Sequence, residues 1–594
     1  MKQKTFDLLS KYDIEVIENT AIKILLDNHN IQSTKNLFIN QKLKKVNNSL
    51  YLDLTNHFKL TNLDELNKFF EELFNEEEKI KNGIVFTPEY IADFIVGNTI
   101  KHFNQNTKII DPACGCGIFL ISAIKKLRTY KKSIIDIIEN HIFGIDLKKE
   151  NVERVKIIIS IYSIFNGEDA KEIRFNLATN DSLFCDWIKE FNVGNFDYII
   201  GNPPYINNHD LKKDYIQQLK DCFCTTQDGT FNIFYAFIEK SSHYLTATGI
   251  IGFIIPNNFI HIKSAKKLRT YIKDNHLLNT IIDFKDNTLF APTLTYNCLI
   301  FLSKNNNSFK YSHISKINNV AQALSNIKHS EKSPAFLDDD GWKLVDDNTY
   351  ENILKIENYP NKIDEFIKTG IATLRDNLYI IDGFDEVKNM YFKWFDNNRF
   401  YIENEALKPF IKISKYKSKN DVSKIIFPYK TDGKQVIPID EKEIKMDFPL
   451  LYKYLLKIKK KLAERDKGTQ IKPWYAYGRS QGLNLFDKKI IYSTFNLMPN
   501  FIKCPIDDVL ISNGYCITNY NFDEEVIIKI LNSSIMHYYV TNTSYHIAGN
   551  YKCFQKKYIK NFSIPVLSNE DINNIRNLNG EQLNLFLWNL YNLK

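Results

Sequence analysis

The run FDYIIGNPPYI, residues 196–206, ends a stretch of apolar strand formers in Asn202-Pro203-Pro204-Tyr205. Two consecutive prolines forbid helical continuation and remove two backbone donors. Asn202 brings a side-chain carbonyl oxygen. Pro203 brings a backbone carbonyl with no N–H of its own to compete. Two such acceptors converging on one point can hold an exocyclic NH2 group. The proline pair fixes the backbone, so the acceptors need little reorganisation. Tyr205 adds a flat face on which a purine or another planar group can stack. The plainer alternative is a simple turn, because Asn-Pro and Pro-Pro are turn dipeptides.

Three further groups precede it. In DPACGCGIFL, residues 111–120, Gly115 and Gly117 allow a tight turn and a close approach of ligand to backbone. The three-glycine spacing of the dinucleotide fingerprint is absent, and so is the Gly-Lys-Ser/Thr of a phosphate loop. About thirty residues on, Asp146 ends FGID, where a carboxylate can accept both hydroxyls of a ribose. Asp181 ends a third short element, where a carboxylate can accept from an adenine amino group. Either aspartate could instead cap a helix.

These groups need elements that bring them together. From Gly83 to Lys304 strands and helices alternate. KII (108–110), HIFGID (141–146), FDYII (196–200), GIIGFIIP, LNTIIDF and YNCLIFLS read as strands. GIFLISAIKKL, KKENVERVKIIISIYSIF, FNIFYAFIEKSSHYL and KKLRTYIKDN read as helices. Such alternation argues for a doubly wound, mostly parallel α/β sheet, which binds ligands beyond the carboxyl ends of its strands. Residues 1–80 show helical spacing in IENTAIKILLDNH and LDELNKFFEELFNEEEKIK, and nothing catalytic stands out there. Residues 306–340 are polar and irregular and read as a linker or a peripheral excursion. Beyond them the chain is mixed α/β, aromatic and lysine-rich.

Bulk composition sets outer limits. A chain of 594 residues predicts about two to four domains. With 44% hydrophobic and 25% charged residues it reads as a soluble globular protein. No apolar run approaches the ~18 residues of a membrane span, and the N-terminus lacks the apolar core of a signal peptide. A cytoplasmic location is expected. The nine cysteines are scattered, and Cys114/Cys116 and Cys222/Cys224 are too close for the usual zinc knuckle. They read as small buried thiols, and no metal is expected. The net charge of +8 suits a polyanionic partner.

DPACGCG, FGID and GNPPY, preceded by GIVFTPEYIADFIV (83–96), together resemble an S-adenosylmethionine-dependent amino-methyltransferase. More narrowly, the order is similar to the gamma class of DNA N6-adenine methyltransferases, the TaqI-methyltransferase-like group. There a Phe-Thr-Pro motif comes first, the cofactor loop and Asn-Pro-Pro-Tyr follow, and a target-recognition domain lies C-terminal. The resemblance covers roughly 83–304, and more loosely 340–594 through GWKLV, IKTGIATLRDNLYII, WYAYGRSQG and LNSSIMHYYV. It implies a Rossmann-like class I methyltransferase fold at 81–305, a helical N-terminal extension at 1–80, a linker at 306–340, and a mixed α/β recognition domain at 341–594.

The resemblance also implies roles. Phe86, Thr87 and Pro88 border the methionine end of S-adenosylmethionine. Asp111, Ala113 and Gly115 line its pocket, Asp146 takes the ribose hydroxyls, Asp181 meets the adenine ring's amino group, and Phe237 packs on that ring. Asn202, Pro203, Pro204 and Tyr205 form the catalytic motif, with Tyr205 stacked on the target adenine and Phe290 on that base's other side. The substrate is double-stranded DNA, from which the adenine must swing out. Lys457, Lys459, Lys460, Lys461, Arg465 and Arg479 are candidates for holding the duplex, with Ser480 and Gln481 beside Arg479 in an aromatic-flanked turn. A cognate restriction endonuclease is compatible with this reading, and a monomer suits an asymmetric site. Three other readings stand beside it: an enzyme methylating RNA or protein, a fused nuclease–methyltransferase, and a decayed, non-catalytic DNA-binding protein. No convincing Asp/Glu/Lys cluster for a nuclease occurs in the roughly 80 residues before the Phe-Thr-Pro motif.

Overall fold

Isoleucine-rich runs build the frame of the first half of the protein. In a computed structural model they form β1 (Ile109–Asp111), β2 (Ile142–Asp146), β4 (Phe196–Gly201), β5 (Leu245–Pro256), β6 (Leu278–Thr288) and β7 (Tyr296–Ser303), while the more polar NLAT forms β3 (Asn176–Thr179). The structure describes residues 10–73, 87–130, 132–289, 295–314, 319–339, 341–432, 435–465, 471–485, 487–547 and 549–594. These form two compact units, Met1–Leu344 and Val345–Lys594.

In the first unit nine strands join in the order β3-β2-β1-β4-β5-β7-β6-β8-β9. The five from β3 to β5 are parallel. β7 inserts antiparallel between β5 and β6. Ile109, Ile110, Ile199, Ile200, Ile251 and Ile254 are wholly buried, since helices cover both faces of a parallel sheet and its strands become continuous apolar runs. Registers Asp111↔Gly144 and Asp146↔Thr179 align the carboxyl ends on one edge. The chain runs outward from β1 to β3, then returns to place β4 on the other side of β1. That reversal is where an open α/β sheet leaves a crevice.

The N-terminal helices are part of this unit's core. α1 (Ile14–Asn28), α2 (Leu37–Leu43), α3 (Asn48–His57) and α4 (Leu63–Glu72) precede α5 (Glu89–Thr99), α6 (Ile118–Arg128) and α7 (Lys149–Phe165). Ile17, Leu25, Leu66 and Phe70 share one apolar cluster with Ile95, Phe119 and Ile158. Buried Arg154 of α7 meets Glu18 of α1, Nη2 to Oε1 at 2.6 Å. Burial raises the Glu18 carboxyl against the pull of Arg154. Removing one partner of such a pair strands the other charge.

Two expectations are corrected here. Residues 306–340 are not a linker: they carry β8 (Phe309–His313) and β9 (Ser330–Lys332), which extend the sheet. The buried alternation Phe309, Tyr311 is short and sits in polar surroundings, which hid it. Cys222 and Cys224 are exposed rather than buried, because Cys222 ends the amphipathic helix α8 (Lys213–Cys222) at the surface and Cys224 opens the short turn that follows.

The second unit is mixed α/β, with small sheets of two to four strands and the helix Pro449–Ala463. Arg465, a sequence candidate for DNA, is buried at 2% exposure. It donates to the carbonyls of Leu462, Trp474 and Ala476 at 2.9, 2.8 and 2.7 Å. It therefore serves as an internal clamp. Among the described residues no helix is long and apolar enough to cross a membrane.

Candidate active site

The carboxyl ends of β1–β4 open on a cavity of about 600 Å³. Thr87, Ala113, Gly115, Asp146, Asp181, Asn202, Pro204 and Phe237 line it. Residues far apart in sequence thus meet because their strands end on one edge.

The floor is the turn after β1. Asp111 Oδ1 accepts the Ala113 N–H at 3.0 Å, and Cys114 N–H donates to the Ile145 carbonyl at 3.0 Å. Gly117 has φ +85° and opens α6 without a side-chain cap. Such a left-handed start favours glycine. Asp111 does not line the cavity, contrary to expectation: it is 1% exposed and lies against Gly201 at the end of β4. A Cβ at Gly201 would stand 2.7 Å from Asp111 Oδ1, so only glycine leaves the carboxyl room. Its buried Oδ2 has no hydrogen-bond partner among the described residues. Burial pushes this carboxyl up to about 8.

Asp146 is already engaged. Oδ2 accepts from Gly115 N at 2.9 Å, and Oδ1 from Lys148 N and Asn151 Nδ2, both at 2.9 Å. Three bonds occupy three of about four acceptor positions on a carboxylate, so one further donor fits without displacement. Burial raises its affinity for a proton despite these bonds. Asp181 accepts from Leu183 N at 3.0 Å and from the Tyr215 hydroxyl at 2.9 Å. Neither aspartate caps a regular helix. Phe237, on α9 (Phe234–His243), is 5% exposed.

At the other end of the cavity Asn202 Nδ2 donates to Thr87 Oγ1 at 3.1 Å. That bond uses the amide's NH2 and leaves Oδ1 as its acceptor end. Tyr205 is held by its hydroxyl, which donates to the Ile254 carbonyl at 3.0 Å and accepts from Asn297 Nδ2 at 3.2 Å. Phe234 meets its ring edge-on at 6.2 Å between centroids. Burial raises the phenol well above its usual range, so Tyr205 acts as a neutral ring. Pro203 is buried, and neither it nor Tyr205 lines the cavity wall. Pro88 instead occupies the N-cap of α5.

Phe86 and Phe290 lie outside the described residues. Arg479, Ser480 and Gln481 form an exposed turn of the second unit, where Gln481 Nε2 donates to the Gly370 carbonyl at 2.8 Å. The geometry adds residues that sequence reasoning passed over. Asn67 and Glu71 of α4, Asn151 and Tyr215 also line the cavity. Asn67 carried a signal: in LDELNKFFEEL it occupies the buried stripe of Leu66, Phe69 and Phe70, where an amide needs a reason. Tyr215 carried none.

Residues 140–290 match the family model described as Eco57I restriction-modification methylase. The type II restriction enzyme and methyltransferase RM.Eco57I of Escherichia coli is 26% identical over 523 residues, covering 74% of this chain and 52% of that protein. The type II methyltransferase M.BstVI of Geobacillus stearothermophilus is 25% identical over 535 residues, covering 82% and 90%. The chain thus spans about half of the first relative and nearly all of the second. Among solved structures, the type IIL restriction-modification enzyme MmeI in complex with DNA superposes with a TM-score of 0.54 at 15% identity, covering 93% of this chain and 76% of that one. At that identity the likeness is one of fold.

Proposed function

We infer from its kinship with the restriction-modification methylases, a family matched directly by residues 140–290, that this chain is a DNA methyltransferase and that its target is N6 of an adenine swung out of the duplex. The observation that carries the reading is the meeting of Asn202, fixed by Thr87, with Asp146 and Asp181 in one cavity.

The cavity fits S-adenosylmethionine as the methyl donor. Its volume suits a ligand of nucleoside size. Asn67, a wall residue whose buried Oδ1 has no partner among the described residues, and two carboxylates favour a ligand that carries positive charge and hydroxyl donors. Asp146 would take a ribose hydroxyl, Asp181 the adenine amino group, and Phe237 the ring face. When bound, the cofactor supplies a methyl group already activated on a sulfonium.

The residues then act by position. An adenine amine is a poor nucleophile because its lone pair is spread into the ring. Asn202 Oδ1 and the Pro203 carbonyl accept its two N–H bonds and favour a more tetrahedral, electron-rich nitrogen. Held there, the nitrogen would be aligned with the methyl group that the cofactor supplies, and the proton it sheds would pass to solvent. Such in-line transfer asks for alignment more than for a general base. Extruding the base costs a few kcal/mol of pairing and stacking, and the Tyr205 ring offsets part of that. The second unit would hold the duplex, with Arg479, Ser480 and Gln481 in the exposed turn reading base edges and lysines holding phosphates. A cognate restriction endonuclease is the partner this role implies.

Expression in a host without adenine methylation, followed by single-molecule sequencing of its genome, tests the reading. N6-methyladenine at one sequence motif is expected with the wild type and absent with Asn202→Ala. An unmodified genome in cells that contain soluble, cofactor-binding protein would overturn DNA as the substrate.

A further inference from the structure

We propose that the N-terminal helical layer completes the cofactor site, with Asn67 of α4 receiving the ammonium group of the cofactor's amino-acid tail. The inference rests on the reading above and extends it to a part of the chain in which the motifs place nothing.

Asn67 is 5% exposed, and its buried Oδ1 has no hydrogen-bond partner among the described residues. It nevertheless lines the cavity, as does Glu71 one helical turn further on. A buried amide oxygen left unpaired is unfavourable, and native proteins rarely keep one unless something else satisfies it. Asn67 and Glu71 share the cavity wall with Cys116, Ile118 and Phe119, so α4 and the start of α6 border one space. That start has no side-chain cap, and Ile118 and Phe119 face the same cavity. Backbone N–H groups at a helix start favour an anion. Asn67 Oδ1 and Glu71 favour a cation. Side by side, the two suit the carboxylate and ammonium of an α-amino acid. Asp146, Asp181 and Phe237 account for the nucleoside end of such a ligand. The amino-acid tail is what remains for α4 and the α6 start.

Isothermal titration of the full chain with three ligands separates the possibilities: S-adenosylmethionine, S-adenosylhomocysteine, and 5′-methylthioadenosine, which lacks the tail. Asn67→Ala is expected to weaken the first two by about tenfold or more, the worth of a hydrogen bond to a charged group, and to leave the third within about twofold. Asn67→Asp keeps an acceptor and adds charge, so it should preserve or raise the preference for S-adenosylmethionine over methylthioadenosine; it also serves if the alanine variant does not fold. Equal loss for all three ligands, or no loss for any, overturns the role of Asn67 while leaving the cofactor reading intact. A wild-type protein that binds none of the three overturns both.

Discussion

At Asn202 the two ends of one amide have different work. Nδ2 is anchored on Thr87 Oγ1, and this aims Oδ1. Thr87→Val should therefore slow methyl transfer by about tenfold, the range of a single neutral hydrogen bond. The same change should add almost nothing in an Asn202→Ala background. Single-turnover rates for the four proteins of this cycle check it, and additive losses would mean that Thr87 acts on the cofactor alone. Asp111 makes a prediction about pH. Burial holds its carboxyl near 8 in the folded chain, against an ordinary 3.8. Between these values the unfolded chain has lost a proton that the folded chain keeps. The unfolded state then binds fewer protons, and this group's contribution lowers stability as pH rises through the window from 3.8 to about 8. Asp111→Asn should flatten the decline. Urea midpoints at the acid and alkaline ends of that window, compared between wild type and variant, measure the difference; an unchanged slope would show that another group titrates there.

At the scale of elements, Arg465 shows how a charge can mislead. It follows a lysine-rich helix and looks like a phosphate contact, yet its guanidinium closes the unit by donating to three carbonyls. Arg465→Met should cost about 2–4 kcal/mol in urea unfolding through the acceptors it leaves unpaired. The folded variant should bind DNA with an unchanged salt dependence. Weakened DNA binding at full stability would contradict the clamp. The strands β1, β2 and β4 to β7 were legible because each is a compact apolar run, the pattern of strands buried on both faces, whereas the polar β3 read only as a short element. β8 and β9 were not, because both are short and partly exposed at the end of the sheet and carry little period to read. The site was legible where a motif sits at a strand end, as in Gly115, Asp146, Asp181 and Asn202. It was obscure where packing across the fold decides. The Asn297 amide that holds Tyr205 comes from the antiparallel strand β7, and nothing local marks it. Asp111 read as part of the wall because sequence gives order along the chain and not depth beneath a surface.

For the molecule as a whole, the net charge of +8 acquires meaning from its placement. On the helix Pro449–Ala463, Lys459 lies over the Trp474 ring at 4.6 Å and Lys461 over Phe395 at 4.8 Å. Lys457 and Lys460 are exposed and form no ion pair among the described residues. Their joint change to Gln should weaken duplex binding alike for all sequences and reduce the slope of log affinity against log salt by about one per lysine. Fluorescence anisotropy across a salt series reads this directly, and an unchanged slope would place the duplex elsewhere. The central claim is narrower than DNA binding: a methyl group reaches the exocyclic nitrogen of an adenine held by Asn202. It is tested most directly by incubating the purified chain with duplex DNA and isotope-labelled S-adenosylmethionine, digesting the DNA to nucleosides and identifying the labelled one by mass spectrometry. The account predicts label in N6-methyl-2′-deoxyadenosine, lost by about 100-fold or more with Asn202→Ala, as when a group aimed at developing charge is removed. Label in a methylated cytosine, or label in adenine that survives Asn202→Ala, would contradict it.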